Sequence, residues 1–303
     1  FYNYMSNNKY NYKTLITKPF IHIKHQQNNL NKDLLINVLQ ICYKTCSFST
    51  LPYFMYKFNS KQSIEKTNTG NCIALSIFIK NYLKTKYNII SYLIPCTIPN
   101  IYKRQHYLDI SHVSLAIPNK NIIYIIDPAF YFYEPILVDL DNINKTQYIT
   151  SVNIYSDKIT PIISKTYITS NDIIYNPFQT IKKNTYYTKC FYTHDKKDIW
   201  NYYLTEICNP DEAISNFFLN ITYPFISTTK LHNKLCKIDF YLKFINKNTV
   251  KIQIDNKPFF YGEPKYITKK QLEIIRYKMK HFYDSNLELL FNFNKNLYHS
   301  FNY

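Results

Sequence analysis

Thr69-Gly70-Asn71-Cys72-Ile73-Ala74-Leu75-Ser76-Ile77-Phe78-Ile79-Lys80-Asn81-Tyr82-Leu83 is the stretch on which the fold of this chain turns. From Cys72 onward the run is apolar on most faces, the pattern of a helix packed inside a domain rather than on its rim. Thr69 or Asn71 can cap its start. Gly70 is one of only two glycines in 303 residues. Its place two positions before a thiol implies backbone that needs positive φ or close approach. A cysteine at a helix N-terminus also feels a dipole that favours its thiolate.

Beyond this helix the periodicity becomes extended. Residues 89–95, 110–117 and 122–126 read as strands rich in Ile and Val. Pro118-Asn119-Lys120-Asn121 is the turn between the last two. Symmetric closure of that hairpin sets Ile117 opposite Ile122 and His112 opposite Asp127. His112, Ser114 and Ala116 share one strand face, while Val113, Leu115 and Ile117 share the other. The smaller face is expected to leave room for Cys72.

Nucleophilic catalysis by cysteine needs a thiolate, a base that becomes its imidazolium partner, and a group that holds the imidazole. Cys72, His112 and Asp127 supply those three roles. An oxyanion would need the Cys72 backbone N–H plus a second donor, for which Gln62, Asn71 and Tyr56 are candidates. Each residue alone has a plainer reading: a buried thiol as a small hydrophobe, a strand histidine bonding a neighbour, an Asp-Pro ending a strand. Their joint order favours chemistry. The remaining histidines have no carboxylate or thiol in a matching pattern.

The flanks complete an α+β expectation. Leu34, Leu35, Val38, Leu39 and Cys42 fall at helical spacing, with Pro52 closing that region and a polar stretch over 61–71. Residues 150–260 read as a β-rich lobe, with a strand at 184–192, a pairing of 236–244 with 249–254, and helical patches at 198–208 and 212–221. Thr268 and Gln271 form a capping box before a last helix. The expected division is a catalytic core over 1–145 and a β-rich lobe over 146–303.

Composition narrows the classes. A net charge of +17 suggests an acidic partner, yet only Arg104 and Arg276 among 37 basic residues are arginine. The side chain that performs most specific nucleic-acid readout is nearly absent, so nucleic acid is not the expected partner. The excess of Lys, Asn, Ile and Tyr fits an AT-rich genome. Seven scattered cysteines suit a reducing compartment, and Cys42 with Cys46 lacks the second pair a zinc site needs. No metal is expected. No stretch has the apolar length of a membrane span, and the first thirty residues lack a signal-peptide core, so the expectation is a cytoplasmic protein.

Gly70-Asn71-Cys72, Ser111-His112-Val113 and Ile126-Asp127-Pro128 together resemble the transglutaminase-like core of the papain-like thiol enzymes, over residues 60 to 132. In that family Gly-x-Cys opens a central helix, a histidine lies on the next strand, and Asp-Pro ends the one after. The resemblance implies a transglutaminase or cysteine protease acting on a protein or peptide through a thioester, with no cofactor. The helical start, the early thiol and the β-rich lobe are also similar to the arylamine N-acetyltransferases. That second resemblance implies coenzyme A as acyl carrier and a small amine as acceptor. Asn68-Thr69-Gly70-Asn71 stands where those enzymes carry Arg-Gly-Gly before the cysteine. A non-catalytic scaffold that uses its aromatic surface for partner contact is the third alternative.

Overall fold

The computed structural model describes residues 30–97, 110–139, 225–232, 235–246 and 248–279, residues 27 and 141, and strands at 16–19, 146–152, 159–167, 187–194, 197–204 and 206–208. Helix α1, Lys32–Thr45, begins where Asn31 Oδ1 accepts the Leu34 N–H at 2.9 Å, and it buries Leu35, Val38, Leu39 and Cys42. Pro52 lies in the first turn of helix α2, Leu51–Tyr56, where proline forfeits no helical bond, so it opens an element instead of closing one. The polar stretch after it holds a helix, α3, Ser60–Thr67. Its capping box joins Asn59 to Gln62, and its buried residues are Ser60, Ser63 and Ile64. Helix α4, Cys72–Tyr87, starts at Asn71, whose Oδ1 accepts the Ala74 N–H at 3.1 Å. Helix α5, Lys269–Lys278, starts at the Thr268 and Gln271 capping box that the sequence predicts.

The described strands are β1 (Ile16–Pro19), β2 (Ser47–Ser49), β3 (Thr69–Gly70), β4 (Tyr92–Thr97), β5 (Ile110–Asn119), β6 (Ile122–Ile126), β7 (Ile136–Asp139), β8 (Thr146–Val152), β9 (Ile159–Tyr167), β10 (Tyr187–His194), β11 (Lys197–Leu204), β12 (Glu206–Cys208), β13 (Phe225–His232), β14 (Leu235–Asn246), β15 (Thr249–Ile254) and β16 (Lys257–Gly262). They form an antiparallel eight-stranded sheet in the order β7-β6-β5-β4-β11-β10-β9-β8 and a six-stranded sheet in the order β16-β15-β14-β13-β2-β3, with β1 and β12 as a separate pair. Only β2 and β3 run parallel among these described neighbours. Both larger sheets draw strands from either side of residue 145, through β4 with β11 and β13 with β2.

The hairpin register differs from symmetric closure at Ile122. Ile117 lies opposite Tyr124 and Leu115 opposite Ile126, a shift of two residues. Pro118 and Asn119 remain in β5, and the turn shrinks to Lys120 and Asn121, with Lys120 at φ 55. A second difference concerns 198–208, which forms β11 and β12 rather than a helix. His194 opposite Lys197 closes a tight hairpin with β10, and the aromatic and β-branched residues Ile199, Trp200, Tyr202 and Tyr203 suit that pairing. The helical patch expected at 212–221 lies outside the described residues.

One core joins α1 and α4 to the eight-stranded sheet through Leu93, Val113, Leu115, Ile117, Tyr124 and Ile126. The larger-residue face of β5, rather than its Ser114 and Ala116 face, is therefore the one packed on the helices. A second core joins α5 to the six-stranded sheet through Ile226, Phe240, Leu242, Val250, Ile252, Ile275 and Met279. Among the described residues no helix is long and apolar enough to cross a membrane.

Candidate active site

Cys72 is the first residue of α4, where backbone N–H groups lack intrahelical acceptors and the helix field favours an anion. The approach to it is tight. A Cβ on Gly70 would overlap Ala74 Cβ and lie 2.8 Å from the Tyr53 hydroxyl and 3.2 Å from Ser63 Oγ. Close approach, not positive φ, is thus the reason for glycine here, since Gly262 alone of the two has positive φ.

His112 lies on β5 beside an irregularity where Cys96 faces it and Thr97 faces Ile110. Its Nε2 is 2.7 Å from Asp127 Oδ2, and the two residues are 4% and 0% exposed. Asp127 follows β6 and caps the 3-10 turn Pro128–Phe130, its Oδ1 accepting the Ala129 N–H at 3.2 Å. The carboxylate thus divides its oxygens between ring and backbone. With the register shifted by two, Asp127 reaches His112 diagonally; the even shift preserves the shared face.

Cys72, 9% exposed, lies close enough to His112 for its charge to act on the ring, and Asp127 occupies Nε2 of that ring. Burial by itself lowers the His112 pKa. The Asp127 carboxylate and the Cys72 thiolate outweigh it and raise the value from 6.5 to about 10. His112 can therefore stay protonated across neutral pH. Phe130 packs edge-on against the imidazole at 4.9 Å.

Of the three candidate oxyanion donors, Gln62 and Asn71 bond their neighbours through their side-chain oxygens, not their amide nitrogens. Gln62 Oε1 accepts the Asn59 N–H at 3.1 Å as part of the α3 cap. Asn71 Oδ1 accepts from both Ser60 Oγ and Ala74 N. Tyr56 packs against the second core and Phe58. Further residues that brace the site are absent from the sequence reading. Tyr43 donates its hydroxyl to Phe132 O at 2.6 Å, and Tyr131 bonds Ser227 Oγ, tying the turn after Asp127 to α1 and β13. Ser227 is ninety-six residues from Tyr131 and carries no local signal, whereas Phe130, three residues past Asp127, lies within reach of a local reading. Among the described residues no group of three His, Cys, Asp or Glu could hold a metal ion.

No family model and no curated protein matches the sequence. Solved structures do match. The arylamine N-acetyltransferase of Mycobacterium abscessus superposes with a TM-score of 0.54 at 9% identity, over 88% of this chain and 89% of that one. Arylamine N-acetyltransferase C of Bacillus anthracis gives 0.53 at 12%, over 83% and 92%. The chain has the arylamine N-acetyltransferase fold. The Bacillus cereus member of that fold, with a TM-score of 0.50 at 16% identity over 83% of this chain and 91% of its own, is described as having a unique Cys-His-Glu catalytic triad. The acetyltransferase fold is papain-like and α+β, as the sequence predicts.

Proposed function

We propose that this chain is a thiol acyltransferase of the arylamine N-acetyltransferase kind, with Cys72 as nucleophile, His112 as proton carrier and Asp127 as the group that orients the ring. The observation that carries it is the buried 2.7 Å contact of His112 with Asp127 beside a cysteine at a helix N-terminus. The transglutaminase or protease expectation gives way to this one. Its resemblance spans residues 60 to 132, whereas the solved acetyltransferases superpose on 83% and 88% of the chain.

In the first half-reaction the Cys72 thiolate attacks the carbonyl of an acyl thioester such as acetyl-CoA, which is a substrate here. The Cys72 backbone N–H faces the developing oxyanion at the start of α4. The C–S bond to the carrier breaks, and the leaving thiolate takes the imidazolium proton. Then a small amine attacks the Cys72 thioester, His112 removes its proton, and the Cys72 thiolate departs as the amide forms. Asp127 keeps its hydrogen bond to the ring in both halves. Because Cys72 is only 9% exposed, a slender acyl chain end suits it.

Iodoacetamide labelling of Cys72, followed by peptide mass from pH 4 to 10, tests this in the parent and in His112→Ala. Fast labelling at mildly acidic pH that disappears in the variant is expected, followed by a stoichiometric burst with p-nitrophenyl acetate. Labelling no faster than at Cys42 or Cys46 would move the chain to the scaffold alternative.

A further inference from the structure

Three hydrogen bonds near Cys72 close a ring. The Asn71 N–H donates to the Tyr53 hydroxyl at 2.9 Å, the Tyr53 hydroxyl reaches Ser60 Oγ at 3.5 Å, and Ser60 Oγ donates to Asn71 Oδ1 at 3.0 Å. Asn71 Oδ1 also accepts the Ala74 N–H, so the ring holds the first turn of α4 from both its backbone and its cap. In this circuit each hydroxyl donates once and accepts once, so removing either one breaks a bond on both of its sides.

From this circuit we infer that Tyr53 is a positioning residue for the nucleophile: its hydroxyl fixes the Gly70–Asn71 backbone and so the direction of the Cys72 sulfur toward His112. The inference rests on Cys72 being the reactive thiol. Tyr53 belongs to α2, and its hydroxyl is what links that helix to the backbone amide immediately before the thiol. The missing Cβ of Gly70 points the same way, because a Cβ would come 2.8 Å from that hydroxyl. Burial pushes the Tyr53 phenol well above its ordinary range, opposed in part by hydrogen bonds with Ser60, Asn71 and Ser63, and the neighbouring Cys72 charge pushes it further up. The hydroxyl thus remains neutral, able to donate and accept, throughout the working range of the thiol.

The test is Tyr53→Phe beside Ser60→Ala and the double variant. The readouts are the pH profile of Cys72 alkylation by iodoacetamide, the acylation rate with p-nitrophenyl acetate, and hydrogen exchange at the Asn71 amide. Tyr53→Phe is expected to slow acylation by about ten- to a hundredfold with KM within about twofold, the scale of one orphaned buried donor. It should move the acidic limb of the alkylation profile upward and speed exchange at Asn71. Ser60→Ala should act in the same direction, and the double variant should be no worse than Tyr53→Phe, because a circuit fails as a unit. Should Tyr53→Phe not fold, Ser60→Ala decides through the same profile. An alkylation profile and acylation rate within about twofold of the parent in the folded variants overturn the inference. Alkylation reads the sulfur's placement even where the parent acylates no ester, so loss of the acyltransferase reading is seen separately.

Discussion

Asp127 gives one carboxylate oxygen to His112 Nε2 and the other to the Ala129 amide, so its rotation is fixed by the backbone of its own turn. Replacing it with asparagine keeps the shape but offers the ring a donor where it needs an acceptor. Asp127→Asn is expected to lower kcat by about 10³- to 10⁴-fold and to lower the melting temperature as well, because it removes the buried carboxylate that holds the His112 proton; steady-state kinetics against a small aryl ester and thermal unfolding measure the two. His112 also links charge to stability. Its folded pKa, raised from 6.5 to about 10, means the folded chain holds a proton that the unfolded chain releases between those values. The stabilisation is complete below pH 6.5 and is lost as pH rises through about 10. Melting temperature should therefore decline over that window in the parent, and His112→Phe should flatten the slope. The placement of Cys72, His112 and Asp127 on their elements is open to sequence reading because Gly-x-Cys, a strand histidine and Asp-Pro are short local patterns. The register is not, since Pro118 inside a strand conceals where the turn begins.

At the scale of elements, helix starts carry much of the local specification. Asn31, Asn59, Asn71 and Thr268 each accept a backbone N–H from the first turn that follows, and all four are visible in the sequence as short polar residues. Helix α3 nevertheless eludes a periodicity reading, because its buried residues are Ser60, Ser63 and Ile64, too polar for an apolar stripe to register. Strands β11 and β12 are hidden for the opposite reason. Their partners lie in the adjacent β10 and in the distant β4 and β1, and those pairings override a local pattern that suggests helix. Gly70 is an element-scale constraint as well, since it sits where β3 passes into α4. In Gly70→Ala the added Cβ meets Ala74 Cβ and the Tyr53 hydroxyl, so about 1–3 kcal/mol of destabilisation is expected in denaturant unfolding, together with slowed alkylation of Cys72.

For the whole molecule, the turn after Asp127 is one place where the end of β6 is tied to the six-stranded sheet. Tyr131, at φ 54, bonds Ser227 on β13 through its hydroxyl, its ring lies 5.6 Å from that of Tyr43, and Thr229 Oγ1 donates to Tyr43 O at 3.2 Å. Ser227→Ala removes the partner of the buried Tyr131 hydroxyl on β13, at a cost of about 1–3 kcal/mol, and should lower kcat more than KM because Asp127 loses its distant brace. Chemical denaturation and kinetics on the same preparation check both parts. None of this long-range bracing is legible in the sequence, since nothing near Tyr131 names a residue ninety-six positions away.

The short parallel pairing of β2 with β3 has a consequence for how the protein is made. Thr69 and Gly70, the approach to the thiol, are paired with Ser47 and Phe48, and β2 is in turn laid against Ile226 and Ser227. A nascent chain that has emerged only as far as residue 220 already carries Cys72, His112 and Asp127, yet lacks the strand that β2 needs as its neighbour. The ribosome thus releases Cys72, His112 and Asp127 before β13, the strand on which β2 and, through it, the Gly70 approach to Cys72 are laid.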